Sequence, residues 1–358
     1  MIERLLLLGQ LVVFVVASGC GGDAAVPTDA GLGVMDGRVA LDGAVPADAG
    51  ELPDVASIDA PAPFDAGPPD AGAPPDGGPS RCADLALVFS CNGVTRTVMG
   101  RDYCVKVPSS YRAGTPMPVV LMLHGFGADG ESQSNYLDLN DTAETRGFIL
   151  VKPNGTLNST AQRYWNAFPA CCVVFATDPP DDVAFLDAVL DDVESAYTVD
   201  THREYAMGHS NGAFMTNRLA CDRTTRFAAI ATLAGTLEPS LCTPSAPISV
   251  LHIHASDDLV INYPGGMVIG APDPYVGAEA DVAFWASANG CGAARTEVET
   301  REMACGIGDA ETHVERYSGC SDGTVVELWR MDIGGHVPLF RVPDWPSRVV
   351  DFFYAHAR

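Results

Sequence analysis

The run Gly208-His209-Ser210-Asn211-Gly212 sets one hydroxyl between two glycines. An apolar stretch precedes it and an amphipathic one follows. Between a strand and a helix, this spacing predicts a sharp elbow. Side chains at either flank would clash there, and the serine hydroxyl is pushed clear of the backbone. A serine so presented is a candidate nucleophile, provided that a base takes its proton and an acid orients the base. In elbows of this kind the acid and then the histidine follow the serine along the chain. Of eight histidines, His124, His202 and His209 precede Ser210. His252 and His254 alternate in an apolar strand and read as structural. His313 has no turn signal beside it, and His356 is in the terminal tail. His336, in Gly334-Gly335-His336 just after an apolar run, is the expected base. Asp257 and Asp258 close the strand that ends at Ala255. One of them would orient His336 and the other would be a solvated turn residue, and spacing does not separate them. A tetrahedral oxyanion needs two backbone N–H groups. Asn211, directly after Ser210, offers one, and Phe126 in His124-Gly125-Phe126-Gly127 offers the other.

Elements that alternate in type must position these groups. Tyr103–Val107, Pro118–Leu123, Phe148–Val151, Arg203–Met207, Ala228–Leu233, Ile248–His254 and Val325–Met331 read as strands. Asp182–Val193, Asn211–Ala220 and Ser347–Ala355 read as helices, with Asp181 or Asp182 as an N-cap. Unbroken apolar strands alternating with helices predict an α/β fold, a mostly parallel sheet covered on both faces.

The chain is 358 residues with 47 % hydrophobic and 19 % charged residues, enough for a sizeable core. Its formal net charge of −25 leaves no basic stripe for a phosphate backbone, which argues against a nucleic-acid partner. Residues 1–20 carry Arg4 and an apolar run too short to span a bilayer, as in a signal peptide. That run ends in Ala17-Ser18-Gly19-Cys20, which resembles a bacterial lipobox and makes Cys20 the lipidation candidate. Ordinary signal cleavage nearby is the alternative. Residues 21–80 repeat Asp-Ala-Gly among many prolines and read as a disordered, extended linker. The irregular Asp spacing argues against a calcium repeat. The domain is expected over 81–358. Membrane contact is expected only through the lipid at Cys20, in an extracytoplasmic, cell-envelope or secreted setting.

Taken together, these motifs resemble the polyhydroxybutyrate-depolymerase-like esterase family of α/β-hydrolases, which includes bacterial and fungal feruloyl esterases. The resemblance covers nearly all of 100–358. It rests on Leu123-His-Gly-Phe-Gly127, Tyr164-Trp-Asn166, Cys171-Cys172, Asp181–Phe185 and Gly208–Gly212. It extends to Arg218–Cys221, His252-Ile-His254, Asn289-Gly-Cys291, Gly319-Cys320 and Gly334-Gly-His336. It implies an α/β-hydrolase fold and a triad of Ser210, Asp258 and His336. Asp258 is preferred because Ile261 and Tyr263 fit the family's spacing after the acid. Ala255-Ser256 and Val337-Pro338 stand where the family often has Gly-Thr and Trp-Pro, so substrate preference does not transfer from any one relative. Expected substrates are feruloyl or acetyl esters of plant polysaccharide, or short polyhydroxyalkanoate esters. A tethered binding module that has lost catalysis is the rival reading. Trp165 and Asn166 either line the acyl pocket or pack their loop against Cys171 and Cys172.

The chain has eleven cysteines, and ten remain once Cys20 is set aside. Such a number suits an oxidising compartment. The resemblance implies Cys291 with Cys320, and Cys171 and Cys172 partnered among Cys221 and Cys242. Cys82, Cys91, Cys104 and Cys305 would share two further bridges. With neither C-x-x-C pairs nor H-E-x-x-H, no metal and no cofactor are expected.

Overall fold

The computed structural model describes residues 81–83, 85, 90–172, 179–308 and 310–358. The expected signal segment, the expected linker and the lipidation candidate Cys20 lie outside the described residues. Ten strands form one sheet: β1 (Val94–Val98), β2 (Arg101–Lys106), β3 (Met117–Leu123), β4 (Ile149–Pro153), β5 (Val199–His209), β6 (Ala229–Leu233), β7 (Ser249–Ala255), β8 (Arg295–Arg301), β9 (Thr312–Tyr317) and β10 (Val326–Met331). Their spatial order is β8-β9-β10-β7-β6-β5-β3-β4-β2-β1. The middle six, from β10 to β4, are parallel, and an antiparallel pair extends each end. This is the mostly parallel sheet that the sequence predicts.

The parallel strands are buried on both faces, which explains their unbroken apolar sequences. Along β3, Val119, Leu121 and Leu123 enter one core layer while Val120 and Met122 enter the other. The first layer is closed by α3 (Asp182–Ala196), α4 (Asn211–Asp222) and α5 (Ala278–Ala288) through Phe185, Phe214 and Trp285. The second is closed by α1 (Gly130–Tyr136), α2 (Leu139–Arg146) and α6 (Asp344–Tyr354) through Tyr136, Leu139 and Trp345. A one-residue slip of β3 would exchange its two faces, so this alternation fixes the register.

The polar composition of α1 and α2 has a physical cause. Lys152 of β4 is fully buried, and its ammonium donates to Glu131 Oε2 at 2.7 Å, Asn140 Oδ1 at 2.8 Å and the Asn92 carbonyl at 3.2 Å. Burial pushes the Lys152 ammonium down from its ordinary value. The two helices carry the acceptors this buried cation requires.

Five disulfides join Cys82 to Cys305, Cys91 to Cys104, Cys171 to Cys172, Cys221 to Cys242, and Cys291 to Cys320. The pairing of Cys171 and Cys172 with Cys221 and Cys242 is therefore corrected. Cys221, in the last turn of α4, lies 5.0 Å at Cα from Cys242, just after the turn Pro239–Leu241. Those two satisfy each other, and the adjacent pair closes on itself.

Candidate active site

Strand β5 runs into Ser210, and α4 starts at the next residue. Ser210 holds φ 54° and ψ −122°, a backbone region that costs a non-glycine residue about 1–3 kcal/mol. Close approach explains the glycines around it. A Cβ on Gly208 would fall 2.2 Å from the Gly212 carbonyl, and one on Gly212 would fall 2.2 Å from the Leu123 carbonyl. Ser210 occupies the N-cap position of α4, where a serine usually caps the helix, yet its side chain makes no cap bond. The hydroxyl instead meets His336.

Ser210 Oγ is 2.9 Å from His336 Nε2, and His336 Nδ1 is 2.8 Å from Asp258 Oδ2. The structure thus brings together the three residues named from the sequence. Asp258 Oδ1 accepts the N–H groups of Val260 at 2.8 Å and Ile261 at 2.9 Å. Burial alone would raise this carboxyl, but hydrogen bonds from His254 and His336 outweigh it and hold the group well below the usual carboxylate range. An ionised Asp258 accepting at Oδ2 places the imidazole proton on Nδ1. That leaves Nε2 bare toward the serine.

Asp257 has a function that the sequence did not reveal. Its Oδ1 accepts from Gly334 N at 3.0 Å and Gly335 N at 2.8 Å, so it ties the histidine loop to the acid turn. The expected solvated turn residue is a clamp. From the opposite side, His209 Nε2 donates to the His336 carbonyl at 2.9 Å. Burial, helped by the neighbouring His336, pushes His209 down to about 3, so near neutral pH its ring is an uncharged tether.

The other side of the serine is closed by the loop after β3. A methyl on Gly125 would sit 3.5 Å from Ser210 Cβ, which places that backbone against the elbow. Two bonds fix the peptides around Phe126: Gly125 N donates to Gln133 Oε1 at 3.1 Å, and Gly127 N donates to the Arg163 carbonyl at 2.8 Å. His124 Nδ1 donates to Gly125 O at 2.8 Å, and its Nε2 accepts from Gly155 N at 2.9 Å. Burial pushes His124 down to about 4. Asn211, at the start of α4, spends its side chain on Trp165, accepting from Trp165 N at 2.7 Å and donating to Trp165 O at 2.9 Å.

Trp165 is not at the surface of the site. It is 0 % exposed, and its indole N–H donates to the His124 carbonyl at 2.9 Å. Asn166 donates its backbone N–H to Asp182 at 2.7 Å and its side-chain amide to the Pro180 carbonyl at 2.8 Å. Of the two readings left open for these residues, the geometry is that of packing, because every polar group named already has a partner on His124, Pro180, Asp182 or Asn211. Asp181 caps α3 by accepting from Ala184 N, while Asp182 holds Asn166 and Arg101. His313 and His356 stand apart from the serine, one between Glu297 and Asp332, the other against the Phe352 carbonyl.

Residues 102–260 match the family described as Esterase PHB depolymerase. The matched segment contains Ser210 and Asp258, and His336 lies beyond it. A probable feruloyl esterase C of Aspergillus niger is 32 % identical over 182 residues, which are 49 % of this chain and 61 % of that protein. Feruloyl esterase B of Piromyces equi is 30 % identical over 249 residues, 66 % of this chain and 42 % of that protein. The chain thus spans less than two thirds of the length of either relative. An acetyl xylan esterase from Aspergillus awamori, a solved structure, aligns with a TM-score of 0.47 at 14 % identity, over 77 % of this chain and 99 % of that one.

Proposed function

We propose that this protein is a serine carboxylic-ester hydrolase with Ser210 as nucleophile, His336 as base and Asp258 as the acid that orients it. The observation that carries the reading is the unbroken line from Ser210 Oγ through His336 to Asp258, at 2.9 and 2.8 Å, with the serine hydroxyl unused by its own helix. His336 Nε2 takes the proton as Oγ attacks the ester carbonyl. The carbonyl oxygen becomes an oxyanion held by the N–H groups of Phe126 and Asn211. Collapse expels the alcohol, which takes its proton from His336. Water then attacks the acyl-enzyme by the same route and releases the acid.

For substrate, the reading is a feruloyl or acetyl ester on polysaccharide, or a short polyhydroxyalkanoate ester. The names of the relatives support the feruloyl class. The loops that carry the triad also expose apolar side chains: Leu259 and Val260 after Asp258, Ile333 before the glycine pair, and Val337 after His336. Leu259 is 89 % exposed, so an apolar acyl or alcohol group gains contact there. With a net charge of −25, a neutral ester suits the protein better than a polyanion. The five disulfides fit an oxidising compartment. A lipid at Cys20, with 21–80 as linker, would tether the domain to a membrane.

Initial rates of the full chain on acetyl, butyryl and feruloyl esters and on hydroxybutyrate oligomers test this reading. The expected result is hydrolysis with a feruloyl or butyryl preference over acetyl of about tenfold or more, the worth of a few buried carbons. Absence of hydrolysis across the whole panel by folded, disulfide-bonded protein would favour the binding module.

A further inference from the structure

The mechanism above uses Asp258 but not what lies behind it. Strand β7 carries His252 and His254 on one side, both fully buried. His254 Nε2 lies 2.7 Å from the Ile261 carbonyl and 3.4 Å from Asp258 Oδ2. Both of these atoms only accept, so Nε2 of His254 carries a hydrogen. His254 Nδ1 faces His252 Nε2 at 3.2 Å. His252 Nδ1 faces Thr232 Oγ1 at 2.9 Å and Asp281 Oδ2 at 3.2 Å.

Asp281, from α5, is 0 % exposed. Its Oδ1 accepts from Leu237 N at 2.7 Å, and His252 is the group that meets its Oδ2, which has no hydrogen bond of its own. A bare carboxylate oxygen against a bare ring nitrogen would be repulsive, so one proton lies between them. A neutral His254 with its hydrogen on Nε2 has a bare Nδ1, and a second bare nitrogen 3.2 Å away would repel it, so His252 Nε2 carries a hydrogen and points it at His254 Nδ1. The row then has one consistent direction, and His254 has one consistent tautomer.

We propose that His254 is a positioning residue: its Nε2–H holds the Asp258 carboxylate and the turn that carries it, and the His252–Asp281 pair behind it locks the tautomer that makes this possible. The turn is held at both ends. Ile261 N donates to Asp258 Oδ1, while Ile261 O accepts from His254. Without His254 the Asp258 carboxylate is free to swing, and His336 loses its aim at Ser210. The inference rests on the triad reading given above.

Two substitutions separate the two ends of the ring. In His254→Gln the amide nitrogen reaches roughly where Nε2 sits, so the donor to Ile261 and Asp258 survives. In His254→Asn the amide replaces Nδ1 only, keeping contact with His252 and losing the donor. Measured on the full chain, kcat of His254→Gln should stay within about fivefold of wild type. That of His254→Asn should fall about 30-fold or more, with KM within about twofold. A structural role alone would make both variants lose activity alike in step with their melting temperatures, and that result, or wild-type kcat in both, would overturn the proposal. Nitrogen-15 NMR of the histidine-labelled wild type needs no variant to fold. A hydrogen on Nε2 of His254 and none on Nδ1 is expected, and the opposite tautomer would overturn the proposal. If wild type has no Ser210-dependent turnover, the esterase reading fails separately, and the tautomer decides the relay by itself.

Discussion

Ser210→Ala is expected to lower kcat for every ester the wild type hydrolyses by about 10⁶-fold, leaving the melting temperature within a degree or two. The loss is large because the hydroxyl is the bond-forming atom. The Asp258–His336 pair has nothing else to activate, and water brought to the same place reacts without the advantage of a fixed geometry. The fold tolerates the change for a specific reason. Ser210 already holds its Cβ at φ 54°, so alanine enters the same strained backbone without a new clash. The hydroxyl caps no helix N–H, so α4 loses nothing at its start. Initial rates with a coincident melting curve measure both halves of the expectation. More than about one part in a thousand of wild-type kcat in a folded variant would mean that another group attacks the ester, since the oxyanion hole alone leaves far less.

Asp258→Asn should lower kcat by about 10⁴-fold, the cost of a wrong histidine tautomer. Asp258 Oδ1 accepts two backbone N–H groups, from Val260 and Ile261. An asparagine therefore turns its carbonyl oxygen to them and its NH₂ to His336. That NH₂ needs an acceptor, so His336 gives up the hydrogen on Nδ1 and carries it on Nε2, pointing at Ser210 Oγ. The base then has no lone pair for the serine proton. The same NH₂ faces the hydrogen of His254 Nε2, so the melting temperature should fall as well. Asp257→Asn is the contrast. Its amide oxygen still accepts from Gly334 and Gly335, so the clamp survives and kcat should change by no more than about threefold. Steady-state kinetics of the two variants side by side assign the acid. Equal losses, or a larger loss at Asp257, would reverse the assignment.

The parts legible in the sequence are those whose pattern is local. The central strands announce themselves because burial on both faces demands unbroken apolar runs. The elbow does so because two glycines at fixed spacing face two carbonyls that an added Cβ would meet at 2.2 Å. Family spacing chose Asp258 over Asp257, which periodicity could not. Other features depend on partners far along the chain. Helices α1 and α2 lack an apolar stripe because they serve the buried Lys152, a requirement visible only once β4 lies beside them. The edge strand β8, Arg295–Arg301, is almost wholly solvent-facing and offers no buried face to read. For Trp165 the sequence left pocket and packing equally open, because the partner of its indole, the His124 carbonyl, is 41 residues away. His252 and His254 were legible as a buried pair. Their connection to the acid was not, because it runs through Asp281 on α5 and the Ile261 carbonyl.

The most direct test of the central claim is covalent. Full-length protein treated with an alkyl fluorophosphonate, which phosphonylates an activated serine, is read by intact mass and then by peptide mapping. The account predicts one adduct per chain, on the peptide containing Ser210, with ester hydrolysis lost in proportion to labelling. Folded protein that hydrolyses esters yet takes no label, or takes it on any other side chain, would contradict it.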